Sequence, residues 1–435
     1  MSKRFLFLIF LCLSSLAHAG VTIEHWQTSA GTRVFFVASR ELPILDVQLD
    51  FAAGAMFDPA DRVGLAGLTH ALLDLGAGAL DETEISNRLA DVGAHLGGGL
   101  DKDRATLSLR TLSQPEKRAG ALFVLEQVLQ RPHFDAAVFE RERARSIAGL
   151  KDALTRPDPL ASRAFWSALY PAHPYGQLTT PESLAAIAPD DLRAFWSRHY
   201  AAGNAVLTMV GDLSRPEAEA LAEQLSRLLP SGGSVPLPAA PTPPPEGSRT
   251  QIEHPASQAH IYLGTPAIAR GDADYFPLLV GNYTLGGGGF VSRLMQEVRE
   301  KGGYAYSVYS YFSPMKQSGP FQIGLQTRRE QSEAALQVVH RVLQDFLAHG
   351  PTPKELKAAQ DNLIGSFPLR LDSNRKILDN VATMGFYGLP LDYLDTYQAR
   401  VQAVRIEDIR RAFARHLAPE RLITVTVAAQ PVDAP

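Results

Sequence analysis

Two stretches carry residues whose types and spacing admit chemistry. The first is Leu285-Gly-Gly-Gly-Gly-Phe-Val-Ser-Arg-Leu294, running into Gln296-Glu-Val-Arg-Glu-Lys-Gly-Gly-Tyr-Ala-Tyr-Ser-Val308. A glycine run (Gly286, Gly287, Gly288, Gly289) lets an extended backbone come close. The guanidinium of Arg299 offers a fork of donors to a carbonyl, and the hydroxyl of Tyr306, seven residues on, can donate to developing negative charge. The competing reading is structural: a glycine hinge, Arg299 in a surface ion pair and Tyr306 in the core. The second stretch is Gly64-Leu-Ala-Gly-Leu-Thr-His-Ala-Leu-Leu-Asp-Leu-Gly76, followed by helix-like Glu82 to Val92. Here His70 and Asp74, four apart on one helical face, could form a metal site, but two ligands without a visible third bind weakly.

Self-sufficient catalysis finds little support elsewhere. There is no H-E-x-x-H, H-x-x-E-H, G-x-S-x-G elbow or Walker loop. The twelve histidines are scattered, and His199 and His416 each close a helical stretch, where a cation or a carbonyl contact is ordinary. The one cysteine, Cys12, lies in an apolar leader, so the rest of the chain has no disulfide, thiolate ligand or cysteine nucleophile.

That leader reads as a signal peptide, residues 1–19. Lys3 and Arg4 precede an apolar core from Phe5 to Leu16, and Ala17-His18-Ala19 supplies a cleavage site before Gly20. The core is short of the roughly 20 residues needed to cross a bilayer, so export to the periplasm and a soluble mature chain are expected. Without the leader, 40 basic groups face 46 acidic ones, a mildly acidic balance spread along the chain. Neither a nucleic-acid face nor a polybasic membrane patch is expected.

The elements that must position these residues fall in two halves. Residues 230–247 hold seven prolines in eighteen positions and predict a stiff connector between domains at 20–229 and 248–435. Asp190-Asp-Leu-Arg193 through Trp196-Ser-Arg-His199 reappears as Glu407-Asp-Ile-Arg410 through Phe413-Ala-Arg-His416, an offset of 217. The same offset maps the strand-like Asn204 to Val210 onto Arg421 to Val427, so the domain is duplicated. Ile44 to Phe51 alternates apolar residues with Asp46, Gln48 and Asp50, which predicts an antiparallel sheet wet on one side. Thr180-Pro-Glu182 and Thr352-Pro-Lys-Glu355 announce helix starts, and Glu333 to Leu347 has helical periodicity. The expected fold is α+β: two homologous domains, each a mainly antiparallel sheet backed by helices.

In this setting the chain resembles the pitrilysin/insulinase family of zinc metallopeptidases, which includes the mitochondrial processing peptidase. The resemblance rests on the glycine loop with Arg299 and Tyr306 and on the Gly64–Gly76 stretch. His173-Pro-Tyr-Gly176, Asn204 to Gly211 and Ser373-Asn-Arg-Lys376 with Gly388-Leu-Pro390 extend it. The family's active helix reads Gly-x-Ala-His-x-x-Glu-His, and its ligand, base and second-ligand positions fall here at Gly67, His70 and Ala71. The third ligand position falls near Gly149, on a helix that Glu140-Arg-Glu-Arg143 is expected to open, with Glu142 matching a supporting carboxylate. Gly67, Ala71 and Gly149 have no donor atoms, so the resemblance implies no metal in this chain. It also implies that Arg299 and Tyr306 reach the peptide being cut. The implied function is the non-zinc, substrate-binding subunit of a heterodimeric metallopeptidase acting on unstructured peptides, with zinc supplied by a homologous partner chain. The alternatives are an inert scaffold of the same fold and, more remotely, a hydrolase using other residues.

Overall fold

The structure, a computed structural model, describes residues 21–429; the expected signal peptide lies outside them. The protein is α+β, with two sheets. The first contains β1 (Glu24–Gln27), β2 (Arg33–Ala38), β3 (Ile44–Phe51), β4 (His95–Leu100), β5 (Ala105–Leu112) and β6 (Ala205–Gly211), in the order β1-β2-β6-β3-β5-β4. The second contains β7 (Ser248–Glu253), β8 (Gln258–Ile268), β9 (Ala305–Phe312), β10 (Gly319–Arg328) and β11 (Ile423–Ala428), in the order β7-β11-β8-β10-β9. Each has one parallel pair, β2 with β6 and β7 with β11, and is otherwise antiparallel. Residues 229–247, between the last helix of the first half and β7, form neither helix nor strand. No helix among the described residues is long and apolar enough to cross a membrane.

The duplication runs through the helices. Pro115–Gln130, Ala136–Ala153, Pro157–Leu169 and Pro189–His199 each start 217 residues before Ser332–His349, Pro353–Gly365, Asn374–Tyr387 and Ile406–His416. Local chemistry sets their ends. Thr352 and Glu355 exchange side-chain and backbone hydrogen bonds in a capping box, as do Thr180 with Ser183 and Asp81 with Glu84. The helix carrying Glu140 and Glu142 starts earlier than its charge run suggested. Asp135 caps it by accepting from the N–H groups of Ala137 and Val138, so Glu140 lies a full turn inside.

The expectation of one wet sheet face is overturned. Asp46, Gln48 and Asp50 are all buried, because the helix Asn374–Tyr387 of the second half lies across β6, β3 and β2. Their charges are matched by neighbouring groups. Arg110 binds Asp46 through both carboxylate oxygens at 2.7 and 2.9 Å, and Asp50 accepts from Thr106 at 2.6 Å and Arg104 at 3.2 Å. The exchange is reciprocal. The repeat-related helix Pro157–Leu169 leaves its own half and packs Ala161, Phe165 and Leu169 against Tyr262 of β8 and Val425 and Val427 of β11.

A buried carboxylate fastens this interlock. Asp103, in the β4–β5 turn, accepts from the hydroxyls of Tyr175 (2.5 Å) and Tyr387 (2.9 Å) and from the backbone N–H of Lys316 (2.8 Å). One of these donors belongs to the first half and two to the second, and burial pushes the Asp103 carboxyl above its ordinary pKa.

Candidate functional site

The stretch matching the family's metal helix forms a helix over Leu65–Ala71. No side chain caps it from the usual position. Asp58, reaching from upstream, accepts instead from the N–H groups of Gly64 (2.8 Å) and Ala66 (2.7 Å). Leu65, Ala66, Leu68 and Thr69 are buried, which turns Gly67, His70 and Ala71 toward the less enclosed side.

A Cβ built on Gly67 or on Gly149 would meet no atom within 4 Å, so packing forces neither glycine. Neither position has a donor atom. His70 lies over β4, where a Cβ on Gly98 would come 3.1 Å from its ring. Its Nδ1 is buried without a partner, and burial lowers its pKa, favouring the neutral ring. Burial raises the Asp74 carboxyl. Glu142 is occupied by arginines, accepting from Arg141 at 2.9 Å with Arg145 at 3.6 Å.

Among the described residues, the one group of three possible ligands is Asp272, Asp274 and His416, well away in sequence from the family's positions. Arg415 already pairs with Asp274 at 2.7 Å, while His416 contacts Asp274 at 3.0 Å and the Ala267 carbonyl at 2.9 Å. The repeat-related His199 contacts the Ala52 carbonyl at 3.0 Å. Both histidines therefore hold helix ends to strand exits. The residues at the family's metal positions do not fit a zinc ion.

The second stretch gathers where the first disperses. The chain from Gly286 folds tightly onto β9: a Cβ at Gly286 would lie 2.6 Å from the backbone nitrogen of Ser310. Gly287 and Gly288 are similarly crowded by Asn282 and Tyr283, and Asn282 and Ser310 bind each other through two hydrogen bonds of 2.9 and 2.6 Å. Close packing thus explains three of the four glycines. Gly289 alone faces open space, at φ +61°.

A helical turn over Met295–Lys301 then carries Arg299 and stops at Gly302. On β9 the register slips at Tyr306: Gln326 faces Ser307 and Thr327 faces Ala305, leaving Tyr306 as the extra residue. Such an irregularity re-aims a side chain, and Tyr306 is 78% exposed, not a core residue. Its hydroxyl makes no hydrogen bond within the described residues, while its ring covers Arg299.

The guanidinium carbon of Arg299 lies 5.1 Å from the Tyr306 ring centre and 4.9 Å from that of Phe290, itself 65% exposed. Arg299 also approaches Glu300 at 3.5 Å. Phe290 is the residue that sequence reasoning passed over; its place directly after the glycine run was the available signal. The arrangement offers a fixed cation and a free phenol on one open face. His70 packs on β4 and Tyr306 sits on β9, the corresponding outer strands of the two sheets.

Two family models match successive parts of the chain. Residues 34–181 match the insulinase (peptidase family M16) description, and residues 186–363 match that of the peptidase M16 inactive domain. The chain belongs to the M16 family. A crystal structure of a peptidase M16 inactive domain from Pseudomonas fluorescens superposes with a TM-score of 0.92 at 40% identity, covering 95% of this chain and all of that one. A non-peptidase homologue from Helicobacter pylori is 26% identical over 420 residues, 95% of this chain and 96% of its own. An uncharacterised zinc protease from Streptomyces coelicolor is 32% identical over 253 residues, 56% of this M16 chain and 54% of its own. The periplasmic protease PqqL of Escherichia coli shares the fold, with a TM-score of 0.81 at 16% identity and 46% of its chain covered.

Proposed function

We propose that this M16 protein is catalytically inert alone and grips extended peptides for a zinc-bearing partner chain of the same family. The observation that carries the reading is an asymmetry between the two halves. Gly67 and Gly149 have open space where a Cβ would stand, Ala71 is exposed, and none of the three has a donor atom, while the half-buried Arg299 stacks on an exposed Tyr306 with a free hydroxyl. An unstructured peptide can add as a strand to an outer sheet edge, which gives sequence-tolerant affinity. Arg299 would then hold a peptide carbonyl, and Tyr306 would donate to the oxygen that becomes negative during cleavage. The metal chemistry belongs to the partner, in the exported compartment that the leader predicts.

The second reading is an inert scaffold. The likeness to a non-peptidase homologue favours it, as do the exposed Phe290 and Val291 beside the pair, which suit a protein contact. Titrating this chain into a zinc-bearing M16 chain of the same source separates the two. Turnover that rises with heterodimer formation supports the subunit; proven binding with unchanged turnover supports the scaffold.

A further inference from the structure

Where the halves interlock they line a half-open cavity of about 580 Å³, a volume typical of small-molecule sites. The β4–β5 turn and Trp166 line it from the first half; Arg270, Tyr311 and Tyr387 line it from the second. Its charged groups are unevenly partnered. Asp103 is saturated by two hydroxyls and a backbone N–H, and Asp101 accepts from the N–H groups of Asp103 and Arg104 and from the Arg104 guanidinium. Arg104 in turn pairs with Asp50.

Two cations are left over. Lys102 places its ammonium 5.7 Å from the Trp166 ring centre, with no hydrogen bond or ion pair among the described residues. Burial lowers its pKa, and Asp58, the opposite charge it feels, is already held by two backbone N–H groups. Arg270 lies 5.2 Å over the Tyr387 ring, and its guanidinium makes no hydrogen bond to the described residues. Its Nε is wholly buried without a partner. Partly buried cationic heads with no hydrogen-bonded counter-charge are costly, and departures of this kind are expected at functional sites.

We propose that this inter-half cavity binds a small organic oxyanion, a carboxylate or phosphate on an apolar or aromatic body. Its head neutralises Lys102 and Arg270, and its body lies against Trp166, Tyr311 and Leu278. The site is separate from Arg299 and Tyr306 and stands whether or not the chain serves a peptidase. Because its walls come from both halves, an occupant also ties them together.

The test is calorimetric titration and thermal unfolding of the mature chain with benzoate, phenyl phosphate and the neutral benzamide. At least one anion is expected to bind saturably at one site and to raise Tm, with benzamide about tenfold weaker or worse. The tighter of the two anions identifies the head. Arg270→Gln and Lys102→Met should each weaken that anion by about tenfold or more, and Arg270→Lys should recover part of the loss. Circular dichroism checks folding, and Lys102→Met carries the test alone should Arg270→Gln fail to fold. No saturable anion binding, equal binding of benzamide, or unchanged affinity in a folded variant would each overturn the proposal.

Discussion

Arg299 is clasped between Tyr306 and Phe290, its guanidinium carbon 5.1 and 4.9 Å from the two ring centres. Each exposed cation–aromatic contact contributes about 0.5–1 kcal/mol, enough to hold a flexible side chain in one position. Phe290→Ala should therefore loosen Arg299 without touching the peptide itself, weakening peptide binding about two- to fivefold. Arg299→Ala should weaken it more, by about ten- to a hundredfold, through loss of a charge-assisted hydrogen bond. Fluorescence anisotropy of a labelled unstructured peptide on the heterodimer measures both. A Phe290→Ala effect as large as that of Arg299→Ala would mean that Phe290 itself is the grip.

The metal positions give a gain-of-function prediction. The wild-type chain should carry no stoichiometric zinc. The combined variant Gly67→His, His70→Glu, Ala71→His and Gly149→Glu restores the family's donor set at positions where Gly67 and Gly149 have room for side chains. It should acquire about one zinc per chain by elemental analysis. Zinc in the wild type, lost on His70→Ala, would point instead to the His70–Asp74 site.

Asp58 makes stability depend on pH. Burial raises its carboxyl to about 6 from the ordinary 3.8, against the opposing pull of the Ala66 and Gly64 N–H groups and Lys102. Between those values the folded chain binds more protons than the unfolded one. This group's contribution is thus full below 3.8 and lost as pH rises through about 6, on the order of 3 kcal/mol in total. Urea midpoints measured from pH 4 to 7 should fall less steeply in Asp58→Asn than in wild type. Identical slopes would remove Asp58 from the account.

The exchanged helices predict that the halves melt together. A Cβ on Gly385, in the helix that crosses to the first sheet, would lie 2.7 Å from the Phe35 ring and 3.0 Å from Val206. Gly385→Ala should cost about 1–3 kcal/mol and lower a single calorimetric transition as a whole. Two transitions, only one of them shifted, would show that the halves are independent.

The duplication, the helix starts at Thr180 and Thr352, and the glycine–Arg299–Tyr306 order were all legible in the sequence, because each is written in local spacing. The burial of Asp46, Gln48 and Asp50 was not. Alternation identifies two faces of a strand, but a helix more than 300 residues away covers the polar one. The exposure of Tyr306 depends on a register slip against β10, which no pattern within β9 reveals. No local pattern singles out Asp103 or Arg270, whose surroundings come from both halves.

The central claim, that this chain contributes to peptide cleavage, is tested most directly by Tyr306→Phe in the reconstituted heterodimer. The substitution keeps the ring over Arg299 and removes only a hydroxyl that has no other hydrogen bond, so assembly and stability should not change. If the hydroxyl donates to the developing oxyanion, kcat should fall by roughly 10²–10³ with KM little altered. A wild-type kcat in an intact heterodimer would contradict the account and leave this chain as a scaffold.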